Sequence, residues 1–328
     1  MEYLASFPSP SVSIWYIGPV PIRAYALCIV LGVALAVFIT DRRLRARGAP
    51  AGAALDVGIF AIPAGIIGAR LYHIFTTPEP YFGAHGHLIN VFKVWEGGLG
   101  IWGGVVGGAL GAWFGCRQLG IPLRVFADAL APGLVLAQAV GRFGNWFNQE
   151  LYGRPTDLPW ALEIDIDHRL KEYLAQATYH PTFLYESLWC VGVAALIWWA
   201  ERRFNLGGGR TFALYAAVYV AGRAWIEYLR IDEAHLVLGL RLNEWTCLVV
   251  FLLAMAYFVL RGGPPERLEV DENGKVRLLP AEVADQGSSS TDTTNTEVAD
   301  FVNAAADADA TASGKDDDTL GSAPKKSG

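Results

Sequence analysis

Residues 20–48 read VPIRAYALCIVLGVALAVFITDRRLRARG. No charge falls between Arg23 and Asp41, and the run is followed at once by Arg42, Arg43, Arg45 and Arg47. Crossing a hydrocarbon core of roughly 30 Å takes about 20 mostly apolar residues. The run is too long for the apolar part of a cleaved leader and it ends in a basic stop, so it reads as a retained span. Comparable stretches follow at approximately 51–74, 98–116, 125–141, 183–200, 211–229 and 245–260. The expected fold class is an all-α integral membrane protein with about seven transmembrane helices.

Composition agrees. Of 328 residues, 53% are hydrophobic and 18% charged, against roughly 25% charged in a typical soluble domain. The net charge of −6 conceals a split: residues 1–263 hold 20 Lys+Arg and 18 Asp+Glu, whereas residues 264–328 hold 6 and 14. All 11 Trp lie in the first part. A nearly neutral, aromatic body excludes a nucleic-acid binder built on a basic patch. Two domains are expected: a polytopic membrane domain over 1–263 and an acidic, low-complexity cytoplasmic tail over 264–328. The tail's Ser, Thr, Asp and Ala content cannot offset the entropy of ordering, so it is expected to be disordered.

Short-loop arginines set orientation. Arg42, Arg43, Arg45 and Arg47 follow the first span, Arg117 and Arg124 the third, Arg202, Arg203 and Arg210 the fifth, and Arg261 and Arg267 the seventh. With seven spans all four sets lie on one side. That side is cytoplasmic, with the N-terminus outside and the C-terminus in the cytoplasm. In the third span, Gly103, Gly107, Gly111 and Gly115 recur every four residues, the spacing that lets helices approach closely in lipid. Cys28, Cys116, Cys190 and Cys247 are too dispersed for a metal or redox motif and read as small apolar core residues. Neither a metal nor a cofactor is expected.

Ionisable residues at membrane depth are costly and by default mark function. One cluster runs from Gly141 to Arg154 (GRFGNWFNQELYGR), where the fourth span reaches the outer interface. An interfacial aromatic belt with snorkelling arginines accounts for Trp146 and Arg154, but poorly for so many amide donors and a carboxylate within twelve residues. A second lies in the sixth span, where Tyr219, Arg223, Glu227 and Arg230 fall within an arc of about 80° on a helix. Such a stripe suits either a buried ion pair or an anion site, and its surplus positive charge favours the anion. The third is His180-Pro181-Thr182-Phe183-Leu184-Tyr185-Glu186, where His180 reads equally as a structural residue or as a catalyst. Together they describe an electropositive, lipid-accessible site at the outer leaflet, and arginine forks suit a phosphate headgroup. A transporter is disfavoured because the chain shows no internal repeat.

These residues resemble a known family, the bacterial prolipoprotein diacylglyceryl transferases. GRFGNWFNQELYGRP (141–155) is similar to the family signature. Supporting elements recur in order: Arg23-Ala24-Tyr25, Trp95-Glu96-Gly97-Gly98-Leu99, Asp128 with Ala131-Pro132, His180-Pro181-Thr182 with Leu184-Tyr185-Glu186, and Tyr219, Arg223, Glu227 and Arg230. The resemblance covers about residues 15–260. It implies a multi-pass enzyme of the bacterial plasma membrane with its active site toward the outer leaflet. The implied reaction moves the diacylglyceryl group of phosphatidylglycerol onto the thiol of a lipobox cysteine in preprolipoproteins, the first step of lipoprotein maturation. The implied partners are therefore phosphatidylglycerol, the preprolipoproteins and the bilayer, with no nucleic acid.

Carried over residue by residue, Arg142 matches the signature arginine that contacts the lipid and Arg223 the second essential arginine. Asn145, Glu150, Gly153, Tyr219, Glu227 and Tyr25 match supporting residues, and Asn148 and Arg230 join them as substrate-binding candidates. The family commonly carries a histidine at the start of the third span, a candidate base for the thiol. This chain has Trp102 there, which leaves His180, Glu150 and Tyr25 as candidate bases, or a thiol that ionises unassisted, since its pKa is about 8.5.

Overall fold

The computed structural model describes residues 6–83, 86–232, 236–272 and 275–279. They form long helices joined by short hairpins: α1 (Ala24–Ala46), α2 (Ala53–Thr76), a single turn α3 (Glu79–Phe82), α4 (Ile101–Leu119), α5 (Leu123–Asn148), α6 (Thr182–Phe204), α7 (Arg210–Leu229) and α8 (Leu242–Leu260). The seven long helices match the seven apolar runs, with ends shifted by up to seven residues. The fourth run was expected to stop near 141, yet α5 continues to Asn148. Its last turns are polar and pair with the loop beyond, so hydropathy alone understates the helix.

Five of these helices, α1, α2, α5, α6 and α8, are long and apolar enough to cross a membrane. Their outward faces carry apolar side chains such as Val30 (65% exposed) and Leu253 (66%). Such surface is stable only against lipid or another apolar partner. The two remaining helices have spanning length, 19 residues in α4 and 20 in α7, but weaker apolarity. Glycine dilutes α4, while Arg210, Arg223 and Glu227 lower α7.

The glycine spacing of α4 does what it predicts. α4 packs along α2, and a Cβ on Gly103, Gly107 or Gly111 would collide with the carbonyl oxygen of Gly68, Ala64 or Phe60 respectively. On Gly115 it would lie 3.0 Å from the Cα of Val57. α1 and α5 form a second close pair, in which a Cβ on Gly32 would stand 2.9 Å from the Ala137 carbonyl and one on Gly133 2.9 Å from that of Ala36. All four cysteines are free, and Cys116, Cys190 and Cys247 are buried, as their apolar setting suggests.

Short antiparallel hairpins decorate both ends. β1 (Ile14–Ile17) pairs with β2 (Val20–Arg23) ahead of α1, and β3 (Leu162–Glu163) with β4 (Thr178–Tyr179) between α5 and α6. β5 (Leu236–Val237) pairs with β6 (Leu240–Arg241) ahead of α8. The last hairpin, β7 (Leu268–Val270) with β8 (Val276–Leu278), corrects the expectation of a disordered tail starting at 264. Leu268 and Val276 are 5% and 2% exposed and join the core formed by Leu44, Val57, Cys116 and Val125. The Leu268 amide donates to the Arg47 carbonyl. Its strands lie against Gly48 and Gly120, where a Cβ would strike the carbonyls of Leu268 and Val276. Glu266 accepts from Arg124 Nε at 2.6 Å and from the Gly208 amide at 3.0 Å. The compact unit ends at Leu278, and a second begins at Leu279, its one described residue. The expected disorder of 280–328 lies outside the described residues.

The same end is tied by charge. Arg43 of α1 donates to both oxygens of Glu201 in α6, at 2.9 and 2.5 Å, and to the carbonyls of Asp128 and Ala129. Asp128, buried in α5, accepts from the amides of Gly209 and Phe212 at 2.8 and 3.0 Å. A carboxylate on the first free N–H groups of α7 satisfies them and opposes the helix dipole.

Gly107→Val should lower the unfolding temperature of the purified chain in detergent by several degrees, because the new branch meets backbone on α2. Gly108→Ala is expected to leave it nearly unchanged, since its nearest neighbour there is the Ala61 carbonyl at 3.9 Å.

Candidate active site

At the opposite end of the helices, α5, α6, α7 and α8 each deliver charged groups. Arg142 sits near the C-terminus of α5, Glu186 in the second turn of α6, Arg223 and Glu227 near the C-terminus of α7, and Arg241 just before α8. Their meeting follows from alternating helix direction, which brings two helix ends and two helix starts together.

Glu186 is the hub. Its side chain is 4% exposed; Oε1 lies 2.7 Å from Arg142 and Oε2 3.1 Å from Arg223. The Tyr219 hydroxyl donates to Oε1 at 3.2 Å. Below it, Glu227 is fully buried. It pairs with Arg223 at 2.6 Å, Arg230 at 3.5 Å and Arg241 at 3.0 Å, and accepts from the Asn243 amide at 3.2 Å. Asp232 then closes the group, 2.7 Å from Arg230 and 2.9 Å from Arg241. Charges buried this deeply are tolerable only with such pairing and hydrogen bonding.

The carboxy end of α5 is shaped by Gln149, whose φ of 52° ends the helix in the left-handed region. Its amide grips Asp165 at both ends, donating to Oδ2 at 2.6 Å and accepting the Asp165 backbone N–H at 2.8 Å. This reversal returns Glu150 to Asn145 and Asn148, whose amides both donate to its Oε1, at 2.8 and 3.3 Å. Asn145 Oδ1 in turn stands 3.5 Å from Arg142. Arg142, Asn145, Leu151, Thr182, Phe183, Glu186, Arg223 and Arg230 enclose a cavity of about 10 Å³, room for one water.

Among the sequence-expected residues, Arg142, Asn145, Arg223 and Arg230 thus line one cavity, with Tyr219 and Glu227 holding its walls and Asn148 and Glu150 at its edge. Three others stand apart from the lining. Tyr25 packs its ring over Gly144, where a Cβ would be 2.6 Å away. Gly153 joins two strand-like segments, donating its amide to the His180 carbonyl and bridging to Arg230. The ring of His180 contacts the Tyr185 hydroxyl at 3.2 Å, and its backbone pairs with Arg154. Burial first, and then the Arg154 charge, pull the His180 pKa below its ordinary value.

Glu186 was visible only as part of the His180–Glu186 motif, without a role. Arg241, Asn243 and Asp232 were missed, because they lie in and beside a loop with no periodic pattern. Beside the site, Tyr185, Leu188, Trp189, Gly192, Val193, Leu196, Val218 and Trp225 line a mostly apolar groove of about 500 Å³ between α6 and α7. Trp189 closes part of it by lying on Gly222 and donating to the Val218 carbonyl at 3.1 Å.

With this geometry in view, the family model described as prolipoprotein diacylglyceryl transferase matches residues 12–260. The chain belongs to this family. It is 62% identical over 257 residues to phosphatidylglycerol–prolipoprotein diacylglyceryl transferase 2 of Streptomyces coelicolor, covering 78% of this chain and 81% of that protein. The enzyme of the same name from Streptomyces griseus is 57% identical over 274 residues, or 82% and 83% of the two chains. That from Rhodococcus jostii is 50% identical over 270 residues, or 79% and 75%. The matched span contains every charged residue of this transferase-family site and stops short of the β7–β8 hairpin.

Glu227→Leu should destabilise the fold by about 3–5 kcal/mol, since three guanidinia would lose a shared buried partner; loss of folded yield on size exclusion would report it. For His180 the depressed folded pKa means the unfolded chain binds the extra proton first. Stability is then fully present above about pH 6.5 and declines as pH falls below it. His180→Gln should flatten that part of the unfolding-temperature profile.

Proposed function

We propose that this chain transfers the diacylglyceryl group of phosphatidylglycerol to the thiol of the lipobox cysteine of preprolipoproteins, forming a thioether and releasing glycerol phosphate. The observation that carries the reading is the convergence of Arg142 and Arg223, from two helices, on one buried carboxylate, in a chain of this family. The relatives' names supply the donor and acceptor.

The chemistry follows from the charges. The thiolate sulfur attacks the glycerol carbon that bears the phosphate ester. The S–C bond forms as the C–O bond breaks, and that oxygen leaves with the electron pair on glycerol phosphate. Negative charge therefore grows on the phosphate, where the two guanidinia stabilise it more in the transition state than in the ground state. Each guanidinium has donors beyond the one it gives Glu186, and these suit phosphate oxygens. Glu150 is exposed and both amides that hold it use the same oxygen, so it serves as acceptor for the thiol proton. The groove between α6 and α7, lined at one end by Tyr185 next to Glu186 in the chain, offers an apolar path for an acyl chain.

With seven spans, the short-loop arginine rule supports a cytoplasmic side that carries the arginine-rich turns, the Arg43–Glu201 cluster and the β7–β8 hairpin. The Arg142 end then faces outward, in a bacterial plasma membrane, where a secreted precursor presents its cysteine. Fixing thiol and lipid together contributes by proximity.

Membranes containing the chain, incubated with phosphatidylglycerol and a lipobox peptide, should yield the thioether by mass spectrometry. An unmodified peptide overturns the reading. Arg142→Ala should reduce thioether formation by about 100-fold or more, on the scale of losing one oxyanion-stabilising group. Trp102→His should leave the pH–rate profile unchanged; a new basic limb would place the base at that position.

A further inference from the structure

Two guanidinia and one carboxylate face each other in the cavity: Arg142 on one oxygen of Glu186 and Arg223 on the other. Behind them, two carboxylates and two guanidinia balance. Glu227 and Asp232 stand against Arg230 and Arg241, with Arg223 also reaching Glu227. Glu150 meets Arg142 only through the Asn145 amide. Tyr219 contributes a neutral hydroxyl. The group that confronts a ligand thus carries two positive charges and one negative.

We propose that Glu186 is a specificity-determining residue: shared between Arg142 and Arg223, it cuts the site from two net positive charges to one, which lowers its preference for the doubly charged phosphomonoester product over a phosphodiester. The inference rests on the lipid-transfer reading for the identity of substrate and product. A diester carries one negative charge. A phosphomonoester near neutral pH carries about −1.5 to −2. Coulomb energy is linear in ligand charge, so repulsion from Glu186 weighs nearly twice as heavily on the product. Two arginines without this carboxylate would hold the product tightly, and product release limits turnover in many enzymes. Burial sharpens the effect, because the carboxylate is shielded from solvent and cannot leave its partners cheaply.

The test is calorimetric titration of the full-length chain in detergent with two soluble anions, glycerol phosphate and glycerophosphoglycerol, the deacylated diester headgroup. The unsubstituted chain should bind both anions. Glu186→Gln keeps the side chain's length and a hydrogen-bonding amide but removes the charge. If it tightens the diester about threefold, linearity requires about tenfold for the monoester, so the ratio of the two affinities shifts about threefold toward the monoester. A merely structural role would weaken both anions without moving that ratio, and an unmoved ratio overturns the proposal. So does an unsubstituted chain that binds neither anion, a result that does not depend on the variant folding. Failure of the lipid-transfer reading appears separately, as absence of thioether with the unsubstituted chain.

Discussion

The polar end of this molecule depends on one carboxylate serving two guanidinia. An unpaired arginine at membrane depth is expensive and relieves itself by snorkelling toward water. A carboxylate of its own for each of Arg142 and Arg223, beyond the Glu227 that Arg223 shares with Arg230 and Arg241, would leave them no charge to offer. With none, they would not stay in place. Glu186 reaches one guanidinium with each oxygen, which satisfies burial while leaving a surplus positive charge. α5, α6 and α7 are held at one spacing by the same three side chains, so the geometry of the site and the packing of these helix ends are one problem.

That constraint explains which helices fall short of membrane apolarity. α7 carries Arg223 and Glu227, yet its charged face is closed off by Glu186 from α6, Arg142 from α5, and Arg241 and Asn243 at the start of α8. α4 is weakly apolar for a different reason, since its glycines exchange lipid-facing bulk for backbone contact with α2. In lipid, where apolar burial between helices gains little, close backbone approach and polar pairing are the forces that remain. The two helices that composition supports least are those whose neighbours supply most.

Much of this was legible in the sequence, and the reasons are local. Apolar length announced the helices, the four-residue glycine spacing announced the α2–α4 seam, and 100° per residue put Tyr219, Arg223, Glu227 and Arg230 on one face. What escaped needed information from distant segments. Arg241 and Asn243 answer Glu227 from beyond a hairpin turn, and nothing in their own neighbourhood marks them. Glu186 gains its role only when three helix ends meet. The β7–β8 hairpin escaped because two residues, Leu268 and Val276, carry its attachment within an acidic stretch; average composition hid them.

Other arginines of low exposure show why a count of such residues says little about function. Arg43 gives its donors to both oxygens of Glu201 and to two backbone carbonyls. Arg70, 6% exposed, donates to the carbonyls of Asn90, Val91, Lys93, Gly97 and Gly98, wrapping the loop before α4 around one guanidinium. Both are saturated, and both read as structural. Arg142 gives 2.7 Å to a shared carboxylate oxygen, a long 3.5 Å contact to an amide and a hydrogen bond to the Tyr219 hydroxyl, from a group with five N–H donors. Donor saturation, rather than burial or charge, therefore separates the arginines that hold the fold from those able to hold a ligand, and by that measure Arg142 has capacity to spare.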